Sequence, residues 1–180
     1  MKTIVKLYTL LIILSVTFQL FNSPNPNVVA QGNDGLTDGN LLKQKRNYTG
    51  AIAAYNKALE IDPKDKQVWA NKGDALNLLG NYTGAIAAYN KALEIDPTYV
   101  NAWDGKGWAL NELGNYTQAI PYFDKALEID PNHIDALIFK GQSLYGLGNH
   151  KGAEYYLNKA LEIDPNNELA KRIYNELVKR

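Results

Sequence analysis

The chain has 180 residues, 46% hydrophobic and 21% charged, a composition that can bury a core and is unlike a disordered tail. Lysine plus arginine equal aspartate plus glutamate at 19 each, so no positive excess points to nucleic acid or to an anionic membrane surface. Cysteine is absent, which excludes a disulfide framework, a thiolate metal site and a lipid-modified cysteine.

Residues 1–30 differ from the rest. Lys2 and Lys6 precede an uncharged run from Leu7 to Phe21, followed by the helix-breaking Pro24 and Pro26 and by Val28-Val29-Ala30, whose small residues suit signal peptidase before Gln31. The segment reads as a signal peptide cleaved before Gln31. An uncleaved N-terminal anchor is the alternative, although the 15-residue run is short for a bilayer span of about 20 residues. The protein is therefore expected outside the cytoplasmic membrane, extracellular or in the cell envelope, and to meet a membrane only through an uncleaved N-terminal segment. Residues 31–37 are expected to be a linker.

The segment Asn47-Tyr-Thr-Gly-Ala-Ile-Ala-Ala-Tyr-Asn-Lys-Ala-Leu-Glu-Ile-Asp-Pro63 recurs unchanged at 81–97, an offset of 34 residues, with 12 of 17 positions kept at 115–131 and 11 at 149–165. Each unit reads as helix, turn, helix. Trp69, Gly73 and Leu76 share one helical face, Gly80-Asn81 breaks the helix, and Ala85, Tyr89 and Ala92 stripe the second helix until Asp96-Pro97 ends it. Asn81, Asn115 and Asn149 suit the N-cap position of the second helices. One hairpin cannot bury such a stripe, whereas stacked hairpins can.

These residues resemble the tetratricopeptide repeat family, whose signature is met by Trp69, Gly73, Leu76, Ala85, Tyr89, Ala92 and Pro97, and again from Trp103 to Pro131. The fourth unit has Leu137 for the Trp and runs to Pro165. The resemblance implies an all-α, right-handed superhelical solenoid: a degenerate first repeat at 38–65, repeats at 66–99, 100–133 and 134–167, and a capping helix at 168–180 whose apolar stripe is Leu169, Ile173 and Leu177. The first unit is degenerate because Gly35 and Asp38 stand where a Trp and an aliphatic residue would pack, so its first helix is expected to start near Asp38. Lys72, Lys106 and Lys140 replace the usual aliphatic residue before the mid-helix glycine and read as stems snorkelling from the core edge.

No phosphate-cradling glycine loop, nucleophile elbow or metal-binding His-Glu-x-x-His helix occurs, so neither catalytic residue, metal nor cofactor is expected. His133 and His150 flank one helix, about 20 Å apart, and cannot share an ion. The repeated Glu60/Asp62, Glu94/Asp96, Glu128/Asp130 and Glu162/Asp164 pairs read as solvated helix ends with lysines nearby. Asn47, Asn81 and Asn115 begin N-glycosylation sequons; modification in an exported chain and a purely capping role are both open.

The helical face opposite the core lines a concave groove in the family. The resemblance therefore implies a peptide- or protein-binding scaffold whose groove is made by Asn71, Asp74, Asn77, Asn101, Asp104, Trp108, Asn111, Phe139, Gln142 and Tyr145. Amides there can bond a peptide backbone and Trp108, Phe139 and Tyr145 can anchor side chains. Ala70, Asn101 and Gly105 stand where cations that grip a C-terminal carboxylate would be sought. A structural element of the envelope that self-assembles through the stack is the competing reading.

Overall fold

The computed structural model describes residues 26–178, in which nine α-helices and no strand occur: α1 Pro26–Gln44, α2 Tyr48–Ile61, α3 Lys66–Leu78, α4 Tyr82–Ile95, α5 Val100–Glu112, α6 Tyr116–Ile129, α7 Ile134–Gly146, α8 His150–Ile163 and α9 Glu168–Val178. Helices pair as α1/α2, α3/α4, α5/α6 and α7/α8, each pair packs on the next, and α9 lies against α7 and α8. The first helices also touch one another in the series α1, α3, α5, α7, α9, whereas the second helices do not. The inner wall of this all-helical solenoid is thus built from first helices alone. The charged N-terminus and apolar run expected at 1–25 lie outside the described residues, and no helix among the described residues is long and apolar enough to cross a membrane.

The hairpin closes on an aromatic ring. Tyr55, Tyr89 and Phe123, on α2, α4 and α6, are each wholly buried. Each ring sits where a Cβ on the partner helix would collide with it: such a Cβ on Gly39 would stand 2.3 Å from the Tyr55 ring, and one on Gly73 or Gly107 2.6 Å from the Tyr89 or Phe123 ring. Glycine is required there for close approach, and each ring's burial contributes about 2–3 kcal/mol. Trp69 and Trp103, expected in the core, are instead half-buried at its edge, with their indole N–H groups donating to Pro63 and Pro97 carbonyls at 2.9 Å. Their amphipathic rings cover the core while the N–H satisfies a turn carbonyl.

Residues 31–37 are helical, which corrects the expected linker and the late start near Asp38. The reason lies in the residues that break the pattern. A Cβ on Gly35 would stand 3.0 Å from Ala58 Cβ, so Gly35 and Gly39 lay α1 closely on α2, and Leu36 and Leu42 pack on the same cluster. Pro26 opens the helix, a position where its missing N–H costs nothing.

Between paired helices the chain reverses through a left-handed residue, Gly80, Gly114 or Gly148, and Arg46 takes this role in the first unit at φ 58°. The bond from Asn81 N–H to Leu76 C=O at 2.9 Å, repeated from Asn47 to Leu42, Asn115 to Leu110 and Asn149 to Leu144, closes each reversal. At the C-terminal end, Asn167 caps α9 by accepting from Ala170 N–H at 3.0 Å. Leu169, Ile173 and Leu177 cover the cluster of Leu137, Ile138, Leu157 and Ala160, as expected of a capping helix.

Gly107→Ala should destabilise the protein by about 1–3 kcal/mol, because the added methyl meets the Phe123 ring with nowhere to move. A surface Gly→Ala change in a helix normally stabilises, so chemical denaturation showing no loss would count against the notch.

Candidate peptide groove and its acidic cleft

Successive first helices are joined by polar side chains spaced one repeat apart. Asn77 donates from Nδ2 to the Gly105 carbonyl and to the Tyr89 hydroxyl oxygen, each at 3.4 Å. One repeat later Asn111 donates to the Phe139 carbonyl at 3.0 Å and accepts from the Ser143 hydroxyl at 2.6 Å. Both amides are almost wholly buried, at 3% and 4% exposure. This corrects their assignment to the groove: Asn77 and Asn111 staple α3 to α5 and α5 to α7 and cannot meet a ligand. Asn71 donates to Asn40 Oδ1 at 3.2 Å, in the seam between α1 and α3. The helical wheel assigns these residues to the side opposite the core, and that side carries the contact with the neighbouring first helix as well as the groove.

A second repeating contact supports the rings. The Tyr55 hydroxyl donates to Asn40 Oδ1 at 2.8 Å and the Tyr89 hydroxyl to Asp74 Oδ1 at 2.9 Å, one repeat apart. In the third unit the hydroxyl is gone, since the ring is Phe123, and the position of Asn40 and Asp74 is taken by Trp108. Freed of that bond, Trp108 turns to the groove, where it stacks on Phe139 with centroids 5.8 Å apart and planes 8° apart, and its indole N–H donates to Glu112 at 3.2 Å. Phe139 in turn stacks on the buried Phe123 at 6.2 Å.

Trp108 and Phe139 form one wall of a cleft of about 290 Å³ that also includes Leu78, Asn101, Asp104 and His133. Five expected groove residues, Asp74, Asn101, Asp104, Trp108 and Phe139, therefore meet at one site. Gln142 and Tyr145 lie farther along α7 and do not line it; Tyr145 packs edge-on against His150 at 5.4 Å.

The cleft is acidic. Asp74, Asp104 and Asp135 line it against one lysine, Lys43, which donates to Asp74 Oδ2 at 2.9 Å. Burial pushes the Asp104 carboxyl up to about 6, opposed by His133 beside it, and His133 is itself raised by that carboxylate. Their nearest atoms, His133 Nε2 and Asp104 Oδ2, are 3.7 Å apart, beyond hydrogen-bond reach. His133 was read from sequence only as a turn residue and Lys43 not at all. The signal that could have placed His133 is the repeat itself: its equivalent Tyr99, one repeat earlier, lies over Lys66 of the previous first helix as His133 lies beside Asp104.

Profiles described as tetratricopeptide repeat match residues 36–100, 88–120 and 110–177. The chain belongs to the tetratricopeptide repeat family. Among solved structures it is similar to TTC0263, a thermophilic tetratricopeptide repeat protein of Thermus thermophilus, with 20% identity, 82% of this chain and 81% of that chain covered, and a TM-score of 0.76. It is similar to the MamA protein, at 23% identity, 83% and 87% coverage and a TM-score of 0.64. The first such domain of Spaghetti (RPAP3), solved with the HSP90 peptide SRMEEVD, aligns at 22% identity over 66% of this chain and 94% of that chain, with a TM-score of 0.61. Comparison with curated protein sequences yields no significant match.

The remaining departures from the repeat signature have local causes. The amine of Lys72 lies 4.9 Å from the Trp69 ring centroid, that of Lys106 4.5 Å from Tyr122 and that of Lys140 4.1 Å from Tyr156, so each stem covers core while its charge meets an aromatic face. Lys140 also donates to Asp124. Asp62, Asp96, Asp130 and Asp164 each accept from the backbone N–H two residues on, at 2.8–3.0 Å, which accounts for the acidic row as a row of turn-formers. Asn47, Asn81 and Asn149 cap their helices by accepting from Gly50, Gly84 and Gly152 N–H at 3.0 Å, but Asn115 makes no such bond. A Cβ at those glycines would stand 2.8 Å from the Asn side chain, and position 118 carries Gln.

Asn111→Ala should cost about 1–3 kcal/mol in stability by removing both of its bonds from α5 to α7, although Ser143 keeps its bond to the Phe139 carbonyl at 2.9 Å, whereas exposed Asn101→Ala should stay within about 0.5 kcal/mol. Urea unfolding of both variants separates a staple from a groove amide.

Proposed function

We propose that this tetratricopeptide repeat protein is a non-catalytic scaffold that holds an extended peptide or a protein segment in the cleft between α3, α5 and α7. The observation that carries the reading is the Trp108–Phe139 stack: a large, half-exposed aromatic pair seated on the core through Phe123, beside exposed Asn101 and the cleft's carboxylates. Rigid aromatics of this kind supply contact area at low entropic cost, and polar neighbours orient a backbone. The solved complex with SRMEEVD supports a peptide as ligand class for the fold. The acidic lining here opposes an acidic tail, since its one lysine is already engaged by Asp74. Trp108→Ala should weaken capture of the native partner by about 2 kcal/mol, or roughly 30-fold, with helicity unchanged. Trp103→Ala should instead lower stability by about 3 kcal/mol or more, through its lost packing on Tyr122. Equal melting of the two variants would assign Trp108 to packing.

The proposal extends to location: the N-terminal lysines, the apolar run and the small residues before Gln31 support export, with a mature N-terminus inside α1. N-terminal sequencing of the native protein should find Gln31, and an intact Met1 on membrane-bound material would establish the anchor instead. Self-assembly is favoured by a different observation, the row of Leu79, Leu113 and Leu147, which are 43–50% exposed at successive turns. Sedimentation that depends on concentration without ligand would select it over the scaffold.

A further inference from the structure

The acidic end of the cleft presents three metal-ligating side chains from two helices. Asp104 lies mid-way along α5, His133 at the N-terminal boundary of α7 and Asp135 in the first turn of α7. Each offers a donor atom, and the three donors lie within 4.8 Å of one another. Asp104 is only 7% exposed, and its Oδ1 is buried with no hydrogen-bond partner; His133 Nε2 beside it is likewise buried and unpaired. Adjoining side chains that each leave a buried polar atom without a hydrogen bond are costly unless something bonds them.

What could join the two side chains is set by the distance between their nearest atoms. A direct hydrogen bond would hold the pair near 2.8–3.0 Å, but His133 Nε2 stands 3.7 Å from Asp104 Oδ2. In a tetrahedral site with metal–ligand bonds of about 2.0–2.2 Å, neighbouring donors are about 3.3–3.6 Å apart, close to what is found. Asp135, exposed at the rim, offers an oxygen within 4.8 Å of the other two donors and supplies the third side. The surroundings favour positive charge: Asp74 and Asp135 act on Asp104, Asp130 and Asp135 act on His133, and Lys43 is held on Asp74.

We propose that Asp104, His133 and Asp135 form a binding site for one divalent transition-metal ion, of which zinc suits a mixed imidazole and carboxylate donor set. The ion bridges α5 to α7 and leaves a coordination position open to the cleft. Because all three ligands come from this chain, the site needs no bound peptide, and it stands or falls separately from the peptide-binding reading.

The test uses the full-length chain without an affinity tag, titrated with zinc and with cobalt by calorimetry and absorbance, with no peptide present. Expected are one ion per chain, a cobalt d–d band, and a higher thermal midpoint with zinc but not with magnesium. His133→Gln and Asp135→Asn should each weaken zinc binding by about tenfold to a hundredfold or abolish it, while keeping the helical circular dichroism spectrum. His150→Gln, at the start of α8 beyond the opposite end of α7 from His133, should bind as the parent does. Absence of saturable zinc binding by the parent overturns the proposal, as does undiminished binding by His133→Gln; loss of binding in His150→Gln alone also overturns it, by moving the ion elsewhere. Should Asp104→Asn fail to fold, His133→Gln and Asp135→Asn decide the matter.

Discussion

The ring-in-notch contact between the two helices of each hairpin is the constraint on which the rest depends. Tyr55, Tyr89 and Phe123 are wholly buried because Gly39, Gly73 and Gly107 present bare backbone to them. That approach sets how near the helices lie and hence where the next hairpin must sit. Gly105 extends the same logic between units, since a Cβ there would stand 2.4 Å from the Tyr89 ring. One aromatic thus locks its own hairpin and seats the following one, so stability passes from neighbour to neighbour as expected of a solenoid.

The inner wall carries two demands on the same helical face. First helices touch one another along the series, so part of the face opposite the core is sealed by Asn77 and Asn111, and only the remainder is free to line a cleft. Buried amides suit the sealed part because their N–H groups reach a backbone carbonyl across the seam, Gly105 from Asn77 and Phe139 from Asn111. The free part is distinctive in the third and fourth units. Where earlier units place Asn40 and Asp74 under a tyrosine hydroxyl, the third pairs Phe123 with Trp108, and the indole is released to stack on Phe139.

The same unit gathers the charge. Asp104 is buried beside the cleft at a position where the second unit has Ala70, and His133 opens a helix where the second and third units have Asp65 and Tyr99. The second helices keep their Lys-Ala-Leu-Glu-Ile-Asp-Pro ending in every unit, whereas Asp104, Trp108 and His133 are substitutions within the repeat that fall on the wall lining the cleft.

The sequence by itself determined the architecture, because a 34-residue copy and the helical spacing of apolar residues leave only stacked hairpins able to bury their stripes. It also named Asp74, Asn101, Asp104, Trp108 and Phe139 for the cleft, since a helical wheel tells which residues turn from the core. A wheel does not tell how much of that face the neighbouring helix covers, so Asn77 and Asn111 were legible as polar and inner but not as staples. Gly35 and Asp38 read as flaws in a first helix, yet in three dimensions Gly35 is where α1 rests on Ala58. The meeting of Asp104 with His133 and Asp135 was decided only by the tertiary structure, because residues about one repeat apart become neighbours through the angle and separation at which one hairpin stacks on the next.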